Sequence, residues 1–106
     1  MGYVYLICDP SAEQYKIGVT RGSIEKRLKK LQTGNGTPLH LVSYHETKHP
    51  FKIEAFLHLK FRDKRTLNEW FQLNNEDIAN FNDTCQIYET ILESVKENHF
   101  MRNKLG

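Results

Sequence analysis

Two short runs rich in tyrosine, valine and isoleucine open the chain, and the polar gap between them leaves the backbone little choice. Gly2-Tyr3-Val4-Tyr5-Leu6-Ile7 is followed by Asp9-Pro10-Ser11 and then by Tyr15-Lys16-Ile17-Gly18-Val19-Thr20. Aromatic and β-branched residues suit a pleated surface, and an Asp-Pro-Ser break supplies turn chemistry, so residues 3–8 and 15–20 are predicted to pair as a β-hairpin. Everything downstream must then pack on one face or the other of that hairpin.

The remaining elements follow from caps and periodicity. Ser23 is a good N-cap with Glu25 in the first turn, and Thr33-Gly34-Asn35-Gly36 ends the first helix. Leu39 to Tyr44 reads as a strand, and Pro50 suits the first turn of a second helix running to about Phe61. Asn68 to Leu73 reads as a short strand or turn. Asp83-Thr84-Cys85-Gln86 has the form of a capping box, placing Asp83 before a last helix whose apolar face is Ile87, Tyr88, Ile91, Leu92 and Val95 and whose tail frays from Asn98. The predicted fold class is α+β: a three-stranded, mainly antiparallel sheet flanked by helices, with an added C-terminal helix. One unit would span residues 1–80, and the helix over 81–106 would pack on it or form a dimer contact.

A chain of 106 residues supports one modest core. No apolar run approaches a membrane span and no signal segment is visible, so the expected location is cytoplasmic, with no membrane partner. Cys8 and Cys85 lack metal-like spacing and read as small buried side chains. The net charge of +2 conceals an asymmetry: residues 1–65 hold 12 Lys+Arg against 6 Asp+Glu, whereas residues 66–106 hold 3 against 7. The first part of the chain therefore presents a basic surface suited to an anionic partner.

Helical projection sorts the side chains. Ile24, Leu28 and Leu31 form the buried stripe of the first helix with Arg27 at its edge, while Lys26, Lys29 and Lys30 fall toward solvent. The second helix is apolar on most sides yet carries Glu54 and His58, four residues apart and so on one face. A carboxylate on such a helix needs a partner, either a divalent cation or its neighbouring histidine.

Together these residues resemble the GIY-YIG nuclease family. Tyr3-Val4-Tyr5 stands for the first motif and Lys16-Ile17-Gly18 for the second, with Arg27 nine residues after Gly18 and Glu54 on a later helix. The run Ile53 to His58 followed by Glu69-Trp70-Phe71 looks like the subgroup common in phages and large viruses. The resemblance covers residues 2–74. Tyr3 replaces the family's first glycine, Lys16 stands where tyrosine is usual, and Leu31 occupies the place of a histidine that His58 would supply from the other helix.

The resemblance implies a Mg²⁺-dependent (or Mn²⁺-dependent) endonuclease that hydrolyses DNA phosphodiester bonds with weak sequence specificity. Its catalytic residues would be Tyr5, Lys16, Arg27, Glu54 and His58, with Tyr3 and Gly18 as structural motif residues. Tyr5 would position or deprotonate the attacking water, helped by Lys16 or His58. Arg27 would neutralise charge on the phosphate oxygens, Glu54 would hold the metal, and Gly18 would leave room for substrate. Arg21, Lys26, Lys30, Arg62, Lys64 and Arg65 would contact the DNA backbone. A homodimer or a targeting protein would supply any further specificity.

Two rival readings exist. A module of the same fold could bind nucleic acid without cleaving it. His45-Glu46-Thr47-Lys48-His49 also matches the zinc-protease signature H-E-x-x-H, which requires both histidines on one helical face. Here the motif follows a strand, and Pro50 biases His49 away from helical geometry. A polar loop is the plainer account.

Overall fold

The computed structural model describes the backbone of residues 1–105 and the side chains of residues 1–95. Strands β1 (Gly2–Asp9) and β2 (Gln14–Thr20) form the antiparallel hairpin, with Tyr5 opposite Gly18 and Ile7 opposite Lys16. The turn is closed by the Glu13 amide donating to the Pro10 carbonyl (3.3 Å), with Glu13 in the left-handed region at φ 51°. The buried Asp9 carboxylate accepts from the hydroxyls of Ser11 (2.7 Å) and Thr37 (3.1 Å), and the Ser11 bond leads in holding its pKa below the usual range.

The sheet is larger than the sequence predicts. β3 (His40–Thr47) pairs along the far side of β1, and β4 (Arg65–Leu67) and β5 (Trp70–Phe71) form a second hairpin beside β2, giving the antiparallel order β3-β1-β2-β5-β4. Five strands replace the expected three because β4 and β5 are too short to carry any period-2 signal. Asn68, at φ 54°, makes the tight turn between them. β3 also runs three residues past Tyr44, since Thr47 is buried opposite Gly2 even though His45-Glu46-Thr47 is polar.

Among the described residues four α-helices and a 3-10 turn at Arg62–Lys64 flank the sheet. α1 (Ile24–Thr33) is capped by Ser23, whose hydroxyl accepts from the Lys26 amide at 3.3 Å, and α2 (Pro50–Lys60) begins on Pro50. The capping box lies not at Asp83 but at Asn74 and Asp77, which open a short helix α3 (Asn75–Ala79). α4 (Phe81–Leu105) follows directly, starting before Asp83 and continuing past Asn98. The predicted apolar face of α4 divides: Tyr88 and Leu92 pack on the core, whereas Ile87, Ile91 and Val95 are exposed. The side chain of His99 lies outside the described residues.

Strand alternation builds two layers. On one face Val4, Leu6 and Ile17 meet Ile53 and Leu57 of α2 and Phe81 and Cys85 of α4. Each of these larger apolar side chains stabilises the fold by about 1.5–3 kcal/mol relative to exposure. On the other face Tyr5, Ile7 and Leu39 pack against Leu28 and Leu31 of α1 and against Trp70. Cys8 and Cys85 are both free thiols, and burial pushes the Cys85 thiol up to about 12. Among the described residues no helix is long and apolar enough to cross a membrane.

Candidate active site

The shortness of β5 creates the site. β5 pairs with β2 only at Tyr15 and Lys16, so the sheet loses its neighbour strand midway along β2. Ile17 marks the boundary: its amide donates to the Glu69 carbonyl (3.1 Å) and its carbonyl accepts from the imidazole of His58 (2.9 Å). Beyond it a cleft of about 470 Å³ opens between the layers. Tyr5 from β1, Lys16 from β2, Arg27 from α1 and Glu54 from α2 all line it, with Arg21, Phe51 and Glu69 in the surrounding wall.

Tyr5 is 2% exposed, and its phenol is pushed up to about 12 by burial. Arg27 pulls that value down, while Glu69 and Glu54 add to the rise. Burial therefore favours the protonated form of this hydroxyl. Its position depends on Gly18. A Cβ on Gly18 would stand 2.5 Å from the Tyr5 hydroxyl oxygen, 2.6 Å from Cζ and 2.8 Å from Cε1. The space left by the missing side chain thus belongs to the tyrosine ring, not to substrate as the sequence suggests.

Lys16 ion-pairs with Glu69 at 2.8 Å and lies over the Trp70 ring, 5.6 Å from its centroid. Its charge in the cleft is thus partly neutralised. Tyr15, one residue away, packs on the opposite face of the sheet with the main core. Glu54 is partly buried, and its carboxyl is raised by desolvation first and by the Glu69 charge second, with His58 and Lys16 opposing. No salt bridge among the described residues involves Glu54. A desolvated carboxylate facing a second carboxylate in an open cleft fits a hard divalent cation, which takes one or two carboxylates and fills its remaining positions with water and phosphate oxygens.

The other predicted residues scatter. His58 does not line the cleft. Its ring donates to Ile17, stacks 5.1 Å from Phe71 and meets Arg65 at 3.5 Å, so it closes the β2 edge beside Glu54 instead of pairing with that carboxylate. Tyr3 occupies a neighbouring hollow with Arg21, and its hydroxyl bonds to Glu46, which raises the phenol pKa. Arg21 borders both hollows and stacks on Phe51 (5.3 Å).

Lys26 and Lys30 are exposed but not remote. With Arg27 they border a hollow of about 190 Å³ that shares Thr20 and Arg27 with the cleft. Arg62, Lys64 and Arg65 line none of these hollows, and Lys64 is bonded to Asp77. Glu69, which the sequence offers only as part of the Glu69-Trp70-Phe71 run and with no role in the site, is a charged residue of the cleft wall. Its signal was the adjacent Trp70-Phe71 pair, which anchors the hairpin on β2 and carries Glu69 against Lys16.

The zinc-protease signature has no helix to sit on: His45, Glu46 and Thr47 belong to β3, and His49 is the N-terminal cap residue of α2.

A five-stranded antiparallel α+β domain, with a polar cleft where its sheet is interrupted, is the class of protein these features define. The chain belongs to the T5orf172 domain family, whose family model matches residues 2–86. That phage-associated family is consistent with a nuclease or DNA-binding role. No curated protein and no solved structure matches the chain.

Proposed function

We propose that the protein is a GIY-YIG-type endonuclease that hydrolyses DNA phosphodiester bonds with weak intrinsic sequence preference. The observation that carries this reading is the convergence of Tyr5, Lys16, Arg27 and Glu54, from four different elements, on one cleft. A phosphodiester fits between them. Arg27 offers a planar fork of donors to two non-bridging oxygens. Tyr5, protonated and fixed against Gly18, orients the attacking water through its hydroxyl. Glu54 would hold Mg²⁺ or Mn²⁺, which when bound stabilises charge on the leaving oxygen. Lys16, released from Glu69 by an incoming phosphate, would add a second cation near the nucleophile. Arg21, Lys26 and Lys30 extend the basic track along which a backbone would lie. A second copy of the chain or a targeting protein would supply site selection.

The non-catalytic binding module draws support from one observation, the Lys16–Glu69 pair that offsets the lysine charge. Incubation of supercoiled plasmid with Mg²⁺ separates the two. The nuclease reading expects nicking by the wild type and none by Glu54→Ala. Binding without nicking in both proteins would leave only the binding module.

A further inference from the structure

The two histidines of the His45-to-His49 motif have a use that their strand setting makes possible. On an extended chain, residues 45, 47 and 49 share one face. Thr47 between them is buried, and its hydroxyl accepts the His49 amide at 2.9 Å, fixing the bend into α2. Both imidazoles therefore meet α4, which presents Glu89 and Glu93 one turn apart. His45 Nε2 lies 3.1 Å from Glu89 Oε1, His49 Nε2 lies 2.7 Å from Glu93 Oε1, and the second oxygen of Glu89 is 3.9 Å from His49. Donor atoms of His49, Glu89 and Glu93 all fall within 4.8 Å of one another.

We propose that His49, Glu89 and Glu93 form a zinc-class metal site that staples α4 to β3. Four-coordinate zinc holds its nitrogen and oxygen ligands at about 2.0–2.2 Å, which puts ligand atoms roughly 3.3–3.6 Å apart. The observed 2.7 and 3.9 Å separations bracket that spacing and the two carboxylates lie within 4.8 Å of each other, so side-chain shifts of about 1 Å or less bring all three to a zinc ion. One imidazole with two carboxylates selects a borderline transition metal over the magnesium expected at Glu54. His45 acts as the orienting partner: it engages one oxygen of Glu89 and turns the other toward the metal. Three of the four side chains are well shielded, at 13% (His45), 16% (His49) and 18% (Glu89) exposure, while Glu93 at 45% leaves an entry path. His45 pairs with Val4, whose side chain faces the main core, so the site lies on the opposite face of the sheet from Tyr5. It does not restore protease chemistry, because Glu46 points to the other face and bonds Tyr3.

The test uses the full chain stripped with chelator and titrated with zinc by calorimetry, then with cobalt(II) by visible absorption. One equivalent should bind, with the intense visible bands of low-coordinate cobalt and a rise in Tm. Glu93→Gln, at an exposed position that does not endanger folding, should weaken binding about 100-fold. His45→Ala should weaken it by about 10- to 100-fold through misorientation of Glu89. Glu54→Ala should bind zinc like the wild type, which keeps this result separate from the fate of the nuclease reading. Failure of zinc to bind would reduce the four residues to an ion-pair clamp and overturn the proposal. Binding that survives Glu93→Gln, or that disappears in Glu54→Ala, would overturn it equally.

Discussion

Replacing Gly18 by alanine adds a single methyl group, and the structure places it inside the Tyr5 ring. The new Cβ would stand 2.5 Å from the hydroxyl oxygen and 2.6 and 2.8 Å from two ring carbons. Carbon contacts are comfortable near 3.5 Å, so the phenol must retreat by about 1 Å. It has nowhere easy to go, because Ile7, Leu39, Leu28, Leu31 and Trp70 close the pocket behind it. Overpacking of this kind costs about 1–3 kcal/mol, visible as a lower urea midpoint at unchanged m-value. A displacement of about 1 Å at a positioned catalytic group also lowers rate by about 100-fold, so single-turnover nicking should fall by that factor while DNA binding holds. The decisive control is the same change in a Tyr5→Leu background. There the ring is gone and the added methyl should cost about nothing, giving a coupling of about 1–3 kcal/mol. An equal loss of stability in both backgrounds would refute the steric account and point to backbone strain at position 18. Full nicking by Gly18→Ala would refute the role given to Tyr5.

Other consequences are equally direct. Folding raises the Glu54 pKa, chiefly by burial, so its ionised form weakens the fold; that cost is absent below the ordinary carboxylate range and grows as pH rises through the raised value. Glu54→Gln should therefore be more stable than the wild type near pH 7, with the difference vanishing below about pH 4, and Mg²⁺ should raise the Tm of the wild type only. A wild type that unfolds at the higher temperature in metal-free buffer at neutral pH would contradict this. Tyr5→Phe should keep its stability within about 1 kcal/mol yet lose nicking by about 100- to 10,000-fold, as measured on supercoiled plasmid. Lys26→Ala and Lys30→Ala should each reduce the slope of log affinity against log salt by about 1, whereas Lys64→Ala, whose ammonium is held by Asp77, should leave that slope alone.

The hairpin, α1 with its Ser23 cap, and α2 opened by Pro50 were all legible in the sequence, because each rests on local chemistry: strand propensity, turn residues and caps. Arg27 was legible as an edge position on its helix, and Glu54 as a carboxylate on a largely apolar one. The β4–β5 hairpin was not, since two- and three-residue strands are fixed by their pairing partner β2 and not by their own pattern. That omission left Glu69 without a role in the site, and His58, which looked like a partner for Glu54, instead satisfies the Ile17 carbonyl. The start of α4 was misread because Asp83 is a good cap in isolation, while the Asn74–Asp77 box committed the chain to turning earlier. The close approach at Gly18 comes from across the ladder, from Tyr5, a register fact that no local window contains.

Because β5 stops pairing after Lys16, its length works as a ruler for the aperture of the cleft. The hairpin that carries it already projects Glu69 to the rim. Two more paired residues would lay backbone beside Ile17 and Gly18 and narrow the opening between Tyr5 and Glu54. On the nuclease reading, length changes in the β4–β5 turn are therefore changes of gauge: a longer hairpin would admit a narrower strand of nucleic acid and a shorter one a wider duplex, with Tyr5, Arg27 and Glu54 left in place.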